Sequence, residues 1–129
     1  MGAFVLLVED ETLLQMAVQF ALEEAGYQVI CCANGTAAIE ELDRDAERFK
    51  ALVTDIRLGN GPDGWQVARH ARELVSGIPV VYTTADGAAD WTAQGVPESI
   101  LIGKPFADSQ VIVAVGQLIN AASGLPNKA

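Results

Sequence analysis

The sequence is poor in positive charge. Eight Lys and Arg stand against 17 Asp and Glu, so the 129 residues carry a formal net charge of −9. A chain that grips nucleic acid gathers Lys and Arg on one face, so no nucleic-acid partner is expected. Histidine occurs once, at His70, and cysteine twice, as the neighbours Cys31 and Cys32. Adjacent cysteines rarely bridge one another, and two thiols do not make a disulfide framework. Buried free thiols in an apolar run suit a reducing compartment. Met1-Gly2-Ala3 leads directly into a short apolar run, without the charged-then-apolar order of a secretory signal. No apolar stretch approaches the roughly 18 residues of a membrane span. A cytoplasmic protein with no membrane partner is therefore expected. Internal repeats and low-complexity tracts are absent as well.

What the chain does have is apolar residues, half of the total. That suffices for one core in a domain of ordinary size. One domain over residues 1–122 is expected, with a short polar tail over 123–129. The apolar residues come in short runs that alternate with helical patterns. Ala3–Val8 is continuously apolar, as a strand covered on both faces requires. Thr12–Glu24 reads as a helix capped by Thr12 and stopped by Gly26, with Leu13, Leu14, Ala17, Phe20, Ala21 and Leu22 at helical spacing. Tyr27–Cys32 is a second strand. Asn34-Gly35-Thr36 makes a turn and cap before a helix over Ala37–Leu42, with Ala38, Ile39 and Leu42 inward. Phe49–Thr54 is a third strand, and Gly59–Gly64 a loop of turn residues. Trp65–Val75 is a helix, Ile78–Thr83 a fourth strand, and Ala85–Gln94 a weak helix broken by Gly87 and Gly95. Ser99–Ile102 is a fifth strand. Asp108–Ala121 is a last helix, with Val111, Ile112, Val115, Leu118 and Ile119 inward. Five βα units in a row predict an α/β fold with a parallel sheet and helices on both faces. A flavodoxin-like (βα)5 order of 2-1-3-4-5 would set strands 1 and 3 side by side at the switch point.

Ionisable groups gather where those strands stop. Glu9-Asp10-Glu11 follows the first, Asp55 the third and Lys104 the fifth, while Thr84 follows the fourth. In an open parallel sheet that edge is where ligands bind. Taken singly, the acidic turn is a helix cap that suits the dipole, and Lys104 is an ordinary surface lysine. Taken together they describe one site. Clustered carboxylates repel unless a cation shares the space. Glu9, Asp10 and Asp55 make an oxygen-rich set for Mg²⁺, and no His or Cys stands near for zinc. Lys104 supplies a compact cation for a phosphoryl oxygen, Thr84 a hydroxyl, and a carboxylate can be a covalent nucleophile. The loop Gly59–Gly64 lacks the Lys-Ser/Thr of a P-loop. His70 reads as a surface residue, and Trp65 and Trp91 as packing residues.

Glu9-Asp10, Asp55, Thr84-Ala85 and Lys104-Pro105-Phe106, in this order on five βα units, resemble the receiver domain of bacterial two-component response regulators. The resemblance covers essentially the whole chain. It implies that Asp55 accepts a phosphoryl group from a sensor histidine kinase or a histidine phosphotransfer protein. It implies that Asp10 is the direct Mg²⁺ ligand in a metal set with Asp55, with Glu9 helping through water and the Arg57 carbonyl as a further ligand. Lys104 would pair with the phosphoryl group, Thr84 would move toward it, and the Lys104-Pro105 bond would be cis. A downstream protein target is implied on the face of helix 4, strand 5 and helix 5. A single-domain regulator, monomeric or weakly dimeric, is expected, and no catalysis beyond its own Mg-dependent phosphotransfer and dephosphorylation. A phosphorylation-independent interaction module of the same fold is the alternative. A flavin carrier is disfavoured by the acids that would repel FMN phosphate. An aspartate-nucleophile phosphatase would want a second Asp where Arg57 stands. The chain departs from the family in three places. Leu101 replaces the usual switch aromatic. The loop after Asp55 is longer and has Gly59 in place of proline, which suggests mobility. The fourth helix is poor in helix signals.

Overall fold

Successive strand residues point to opposite faces of a sheet, so one apolar strand can serve two cores. The computed structural model describes residues 3–86 and 90–122, and five strands in it work in this way. In chain order the elements are β1 Phe4–Val8, α1 Thr12–Glu24, β2 Gln28–Cys32, α2 Gly35–Asp45, β3 Phe49–Asp55, α3 Gly64–Leu74, β4 Val80–Thr84, α4 Trp91–Gln94, β5 Ile100–Gly103 and α5 Asp108–Ala122. The strands are parallel and ordered β2-β1-β3-β4-β5. This is the expected α/β architecture.

The two cores follow from the alternation. Leu6, Val8, Leu52, Val80 and Tyr82 meet Leu42 of α2 and Val67 of α3 on one face. Val5, Leu7, Ala51, Val53 and Val81 meet Val18 and Leu22 of α1 and Val111 and Val115 of α5 on the other. Burying each Leu or Val side chain contributes about 1.5–3 kcal/mol. Central strands held by two such cores form a rigid base, and the residues at their C-terminal ends inherit that rigidity. Cys32 is buried and Cys31 half-buried, both as free thiols. Burial, aided by the charge of Glu41, pushes the Cys32 thiol up to about 11, so it stays protonated and unreactive.

Several boundaries differ from expectation. β4 begins at Val80 because Pro79 has no N–H for the ladder, although its carbonyl accepts from Leu52 N–H at 2.9 Å. It also runs one residue further, so that Thr84 ends it. β3 likewise reaches Asp55 itself. Thr12 does not cap α1: Glu11 occupies the cap position, without a side-chain bond. Asn34 does cap α2, accepting from Ala37 N–H at 2.8 Å. The apolar set of α1 splits between two faces. Leu22 is buried and Leu14 and Ala21 partly so, whereas Leu13, Met16 and Phe20 are 83%, 57% and 65% exposed, with Ala17 exposed between them. The helix thus carries a second, outward stripe at i, i+3, i+4 and i+7. The fourth helix is short, four residues from Trp91. Gly87 and the polar tail over 123–129 lie outside the described residues. No helix among the described residues is long and apolar enough to cross a membrane.

Candidate functional site

The site forms where β1, β3, β4 and β5 stop. Glu9 continues the β1–β2 ladder, donating its N–H to Cys32 O at 3.0 Å. Gln15, one turn into α1, donates to Glu9 O at 3.0 Å and to Cys32 O at 3.3 Å, and so clamps the acidic turn. The Glu9 carboxylate accepts from Glu11 N–H at 3.0 Å. Asp55 lies opposite Thr83 in the β3–β4 register, and the next residue, Ile56, donates its N–H to Thr83 O at 3.1 Å. On the far side, Lys104 N–H donates to Thr84 O at 2.7 Å, and the Lys104-Pro105 bond is cis as expected.

These anchors bring four groups together. Lys104 Nζ donates to Asp55 Oδ2 at 2.9 Å and lies 3.3 Å from Glu9 Oε1. Carboxylate oxygens of Glu9, Asp10 and Asp55 all lie within 4.8 Å of one another. Glu9 and Asp55 are buried, and Asp10 is exposed. Burial pushes the Glu9 carboxyl up to about 7, and the charge of Asp55 adds to this, while the Glu11 N–H and Lys104 oppose it. Burial alone would lower the Lys104 ammonium. Its hydrogen bond to Asp55, and the charges of Asp55 and Glu9, outweigh that, so the net shift is upward. Three carboxylates against one ammonium leave excess negative charge in a partly dry space. The donors are all oxygen, and a small hard divalent cation such as Mg²⁺ fits them.

Thr84, the other predicted participant, is at the rim. It is buried, but its hydroxyl donates to Asp86 O at 2.9 Å and accepts from Asp86 N–H at 3.1 Å. The Arg57 side chain is exposed and pairs with the Asp86 carboxylate. The loop after Asp55 is fastened at two points. Leu58 is buried in the core, and Gly64 N–H donates to Ile56 O at 2.8 Å. A Cβ on Gly64 would overlap the Asp55 carbonyl, so only glycine lets α3 start this close to the acceptor. Asp63 and Gln66 close a capping box at that helix start.

The remaining singled-out residues sit away from the site. Trp65 packs its ring 4.7 Å from that of Tyr82, and Trp91 Nε1 donates to Ser99 Oγ at 2.9 Å, so both are packing residues. His70 bonds to Asp43 at 2.7 Å between α3 and α2. Leu101 is half-buried against the α2–α3 side core, opposite Tyr82 in register.

With this geometry established, comparison with known proteins places the chain. The family model for the response regulator receiver domain matches residues 5–116. The chain belongs to that family, the receiver domains of two-component systems. It is 30% identical to the response regulator receiver protein CpdR of Brucella abortus, over 92% of this chain and 98% of that one. It spans about half the length of several other curated relatives it matches, 44%, 54% and 51%. Among solved structures, a response regulator receiver protein from Sinorhizobium medicae is 43% identical, with a TM-score of 0.90 over 94% of this chain and 97% of that one. The receiver domain of sensor histidine kinase PA1611 from Pseudomonas aeruginosa is 25% identical, with a TM-score of 0.79 over 93% of this chain and 99% of that one. That structure holds a magnesium ion coordinated in its active-site cleft.

Proposed function

We propose that the chain accepts a phosphoryl group on Asp55 from a histidine kinase or histidine phosphotransfer protein, and relays the change to a protein target. The observation that carries this reading is the Lys104–Asp55 contact of 2.9 Å inside the three-carboxylate cluster. An Asp55 oxygen attacks phosphorus, the bond from phosphorus to the donor's imidazole nitrogen breaks, and that nitrogen leaves with the electron pair. Asp10, Asp55, Glu9 and the Arg57 carbonyl would hold Mg²⁺, which supplies charge neutralisation on the phosphoryl oxygens. Lys104 holds one of those oxygens after it gives up Asp55. Thr84 offers its hydroxyl to another. No activity on a separate substrate is proposed.

Two surfaces support protein partners. The outward stripe Leu13, Met16, Ala17 and Phe20 begins three residues beyond Asp10, and suits an apolar helical face on a phosphodonor. A second surface, the proposed output face, is made by α4, β5 and α5, the last packed beside α1 on the same side of the sheet. There Val113 is exposed and Leu101 half-buried. The proposed functional unit is residues 1–122, in the cytoplasm, as a monomer or weak dimer. Incubation with Mg²⁺ and acetyl phosphate should add one phosphoryl group to the chain by mass, and Asp55→Asn should abolish it. Undiminished labelling of Asp55→Asn would defeat the assignment. An unlabelled wild-type chain that still bound a partner would favour the phosphorylation-independent module.

A further inference from the structure

Two residues that flank the site hold one another across its mouth. Arg57 lies two residues beyond Asp55, on the loop after β3. Asp86 lies two beyond Thr84, on the loop after β4. β3 and β4 are neighbours, with Asp55 opposite Thr83, so these loops leave the sheet side by side. The Arg57 guanidinium pairs with the Asp86 carboxylate. Asp86 in turn holds Thr84 through its main chain. Its N–H donates to Thr84 Oγ1 at 3.1 Å, and the Thr84 hydroxyl donates to its carbonyl at 2.9 Å. A threonine hydroxyl has one proton to donate. That proton is committed to the loop, and cannot serve a phosphoryl oxygen until Asp86 gives it up.

We propose that Arg57 and Asp86 form a latch on the Thr84 hydroxyl, opened when a phosphoryl group on Asp55 draws Arg57 away. This rests on the phosphoacceptor reading above, and makes Arg57 and Asp86 positioning residues for the Thr84 movement. The latch is built to be exchanged. Its side chains are 79% and 53% exposed, and an exposed ion pair contributes little stability. A phosphoryl group offers three acceptor oxygens and close to two charges, which match the planar fork of a guanidinium better than one solvated carboxylate does. Once Arg57 turns inward, Asp86 loses its side-chain tether. The Thr84 hydroxyl then exchanges one acceptor for a better one. The two events are coupled through a single residue, without needing the switch aromatic that Leu101 replaces.

The test follows the Thr84 methyl resonance in the full chain, with beryllofluoride and Mg²⁺ as the phosphoryl mimic. In the wild type the mimic should displace this resonance. Without the mimic, Arg57→Ala should move it toward that displaced position, and Asp86→Asn should do likewise. The double variant should move it no further than either single one, because one latch is broken in all three. Arg57→Lys, which keeps the charge, should return most of the shift. Arg57 is remote in sequence from Thr84, so its effect does not arise from a changed neighbour. A Thr84 resonance unmoved by Arg57→Ala, or additive displacements in the double variant, overturns the latch. A wild-type chain unresponsive to the mimic overturns the phosphoacceptor reading instead, and the latch falls with it.

Discussion

Lys104 Nζ reaches from the end of β5 to Asp55 Oδ2 at the end of β3, 2.9 Å away, passing over the end of β4 between them. It is the cation within this cluster, and it serves two buried carboxylates. Its removal should be felt most where no metal can take over.

Lys104→Ala leaves Asp55 and Glu9 buried without their counter-charge. Leaving a buried acceptor unpaired costs at least about 1–3 kcal/mol, and more where the acceptor is charged. The variant should lose stability of that size in EDTA, and recover most of it in saturating Mg²⁺, by urea denaturation. Its response to phosphorylation should be impaired in both conditions. A variant as stable as the wild type in EDTA would contradict the electrostatic account.

Glu9 gives the metal-free protein a pH dependence of definite sign. Its carboxyl is raised from 4.5 to about 7 in the fold, chiefly by burial. Between those values the folded chain holds a proton that the unfolded chain has released. Stability from this group is therefore fully present below 4.5 and is lost as pH rises through about 7. Urea denaturation in EDTA should show a fall across that window, and Glu9→Gln should flatten it. Mg²⁺ should stabilise the wild type more above the window than below it, because protons and metal compete for the same oxygens.

The strand-end residues were legible because each apolar run gives way abruptly to a charge. Glu9, Asp55 and Lys104 needed only the strand order to be brought together. What stayed hidden depends on close approach in three dimensions. Gln15, which clamps the acidic turn, looks like any helix glutamine. Gly64 looks like one more loop glycine until the Asp55 carbonyl is seen against it. α1 has apolar residues on two faces, and periodicity cannot say which faces the sheet. Asp63 and Gln66 do carry the spacing of a capping box, a signal obscured by the glycine-rich run before them. Asp86 had no signal at all, since its partners are a main-chain turn and a residue on another loop.

Two glycines should respond in opposite directions to the same change. Gly64→Ala gains helix propensity, by up to about 1 kcal/mol. Its Cβ would also stand 2.7 Å from Ile56 Cα and overlap the Asp55 carbonyl, both fixed main-chain atoms. Overpacking of this kind costs about 1–3 kcal/mol, so the clash should win. Gly116, within α5, meets nothing within 4 Å of a built Cβ, so Gly116→Ala should stabilise by about 0.5–1 kcal/mol. Gly64→Ala should also weaken Mg²⁺ binding, which titration calorimetry would read, because the displaced atoms carry Asp55. Equal effects of the two substitutions on denaturation would refute the role given to the Asp55–Gly64 contact.

The outward stripe of α1 separates a protein phosphodonor from a small one. Phe20 is 65% exposed and contributes little to the core, so Phe20→Asp should change stability by no more than about 0.5 kcal/mol. A small donor such as acetyl phosphate needs only the pocket around Asp55, and its labelling rate should stay as in the wild type. A kinase or phosphotransfer protein must also dock. Losing an aromatic anchor and burying a charge in its place should slow transfer from such a donor at least about tenfold, equivalent to ~1.4 kcal/mol. Met16→Asp should behave in the same way, being one turn away on the same stripe, while Glu24→Lys, at the end of the helix, should have a weaker effect that fades with salt. Rates measured side by side with the two donors decide the matter. If Phe20→Asp slowed both equally, the stripe would be acting on the fold, and the docking surface would have to lie elsewhere.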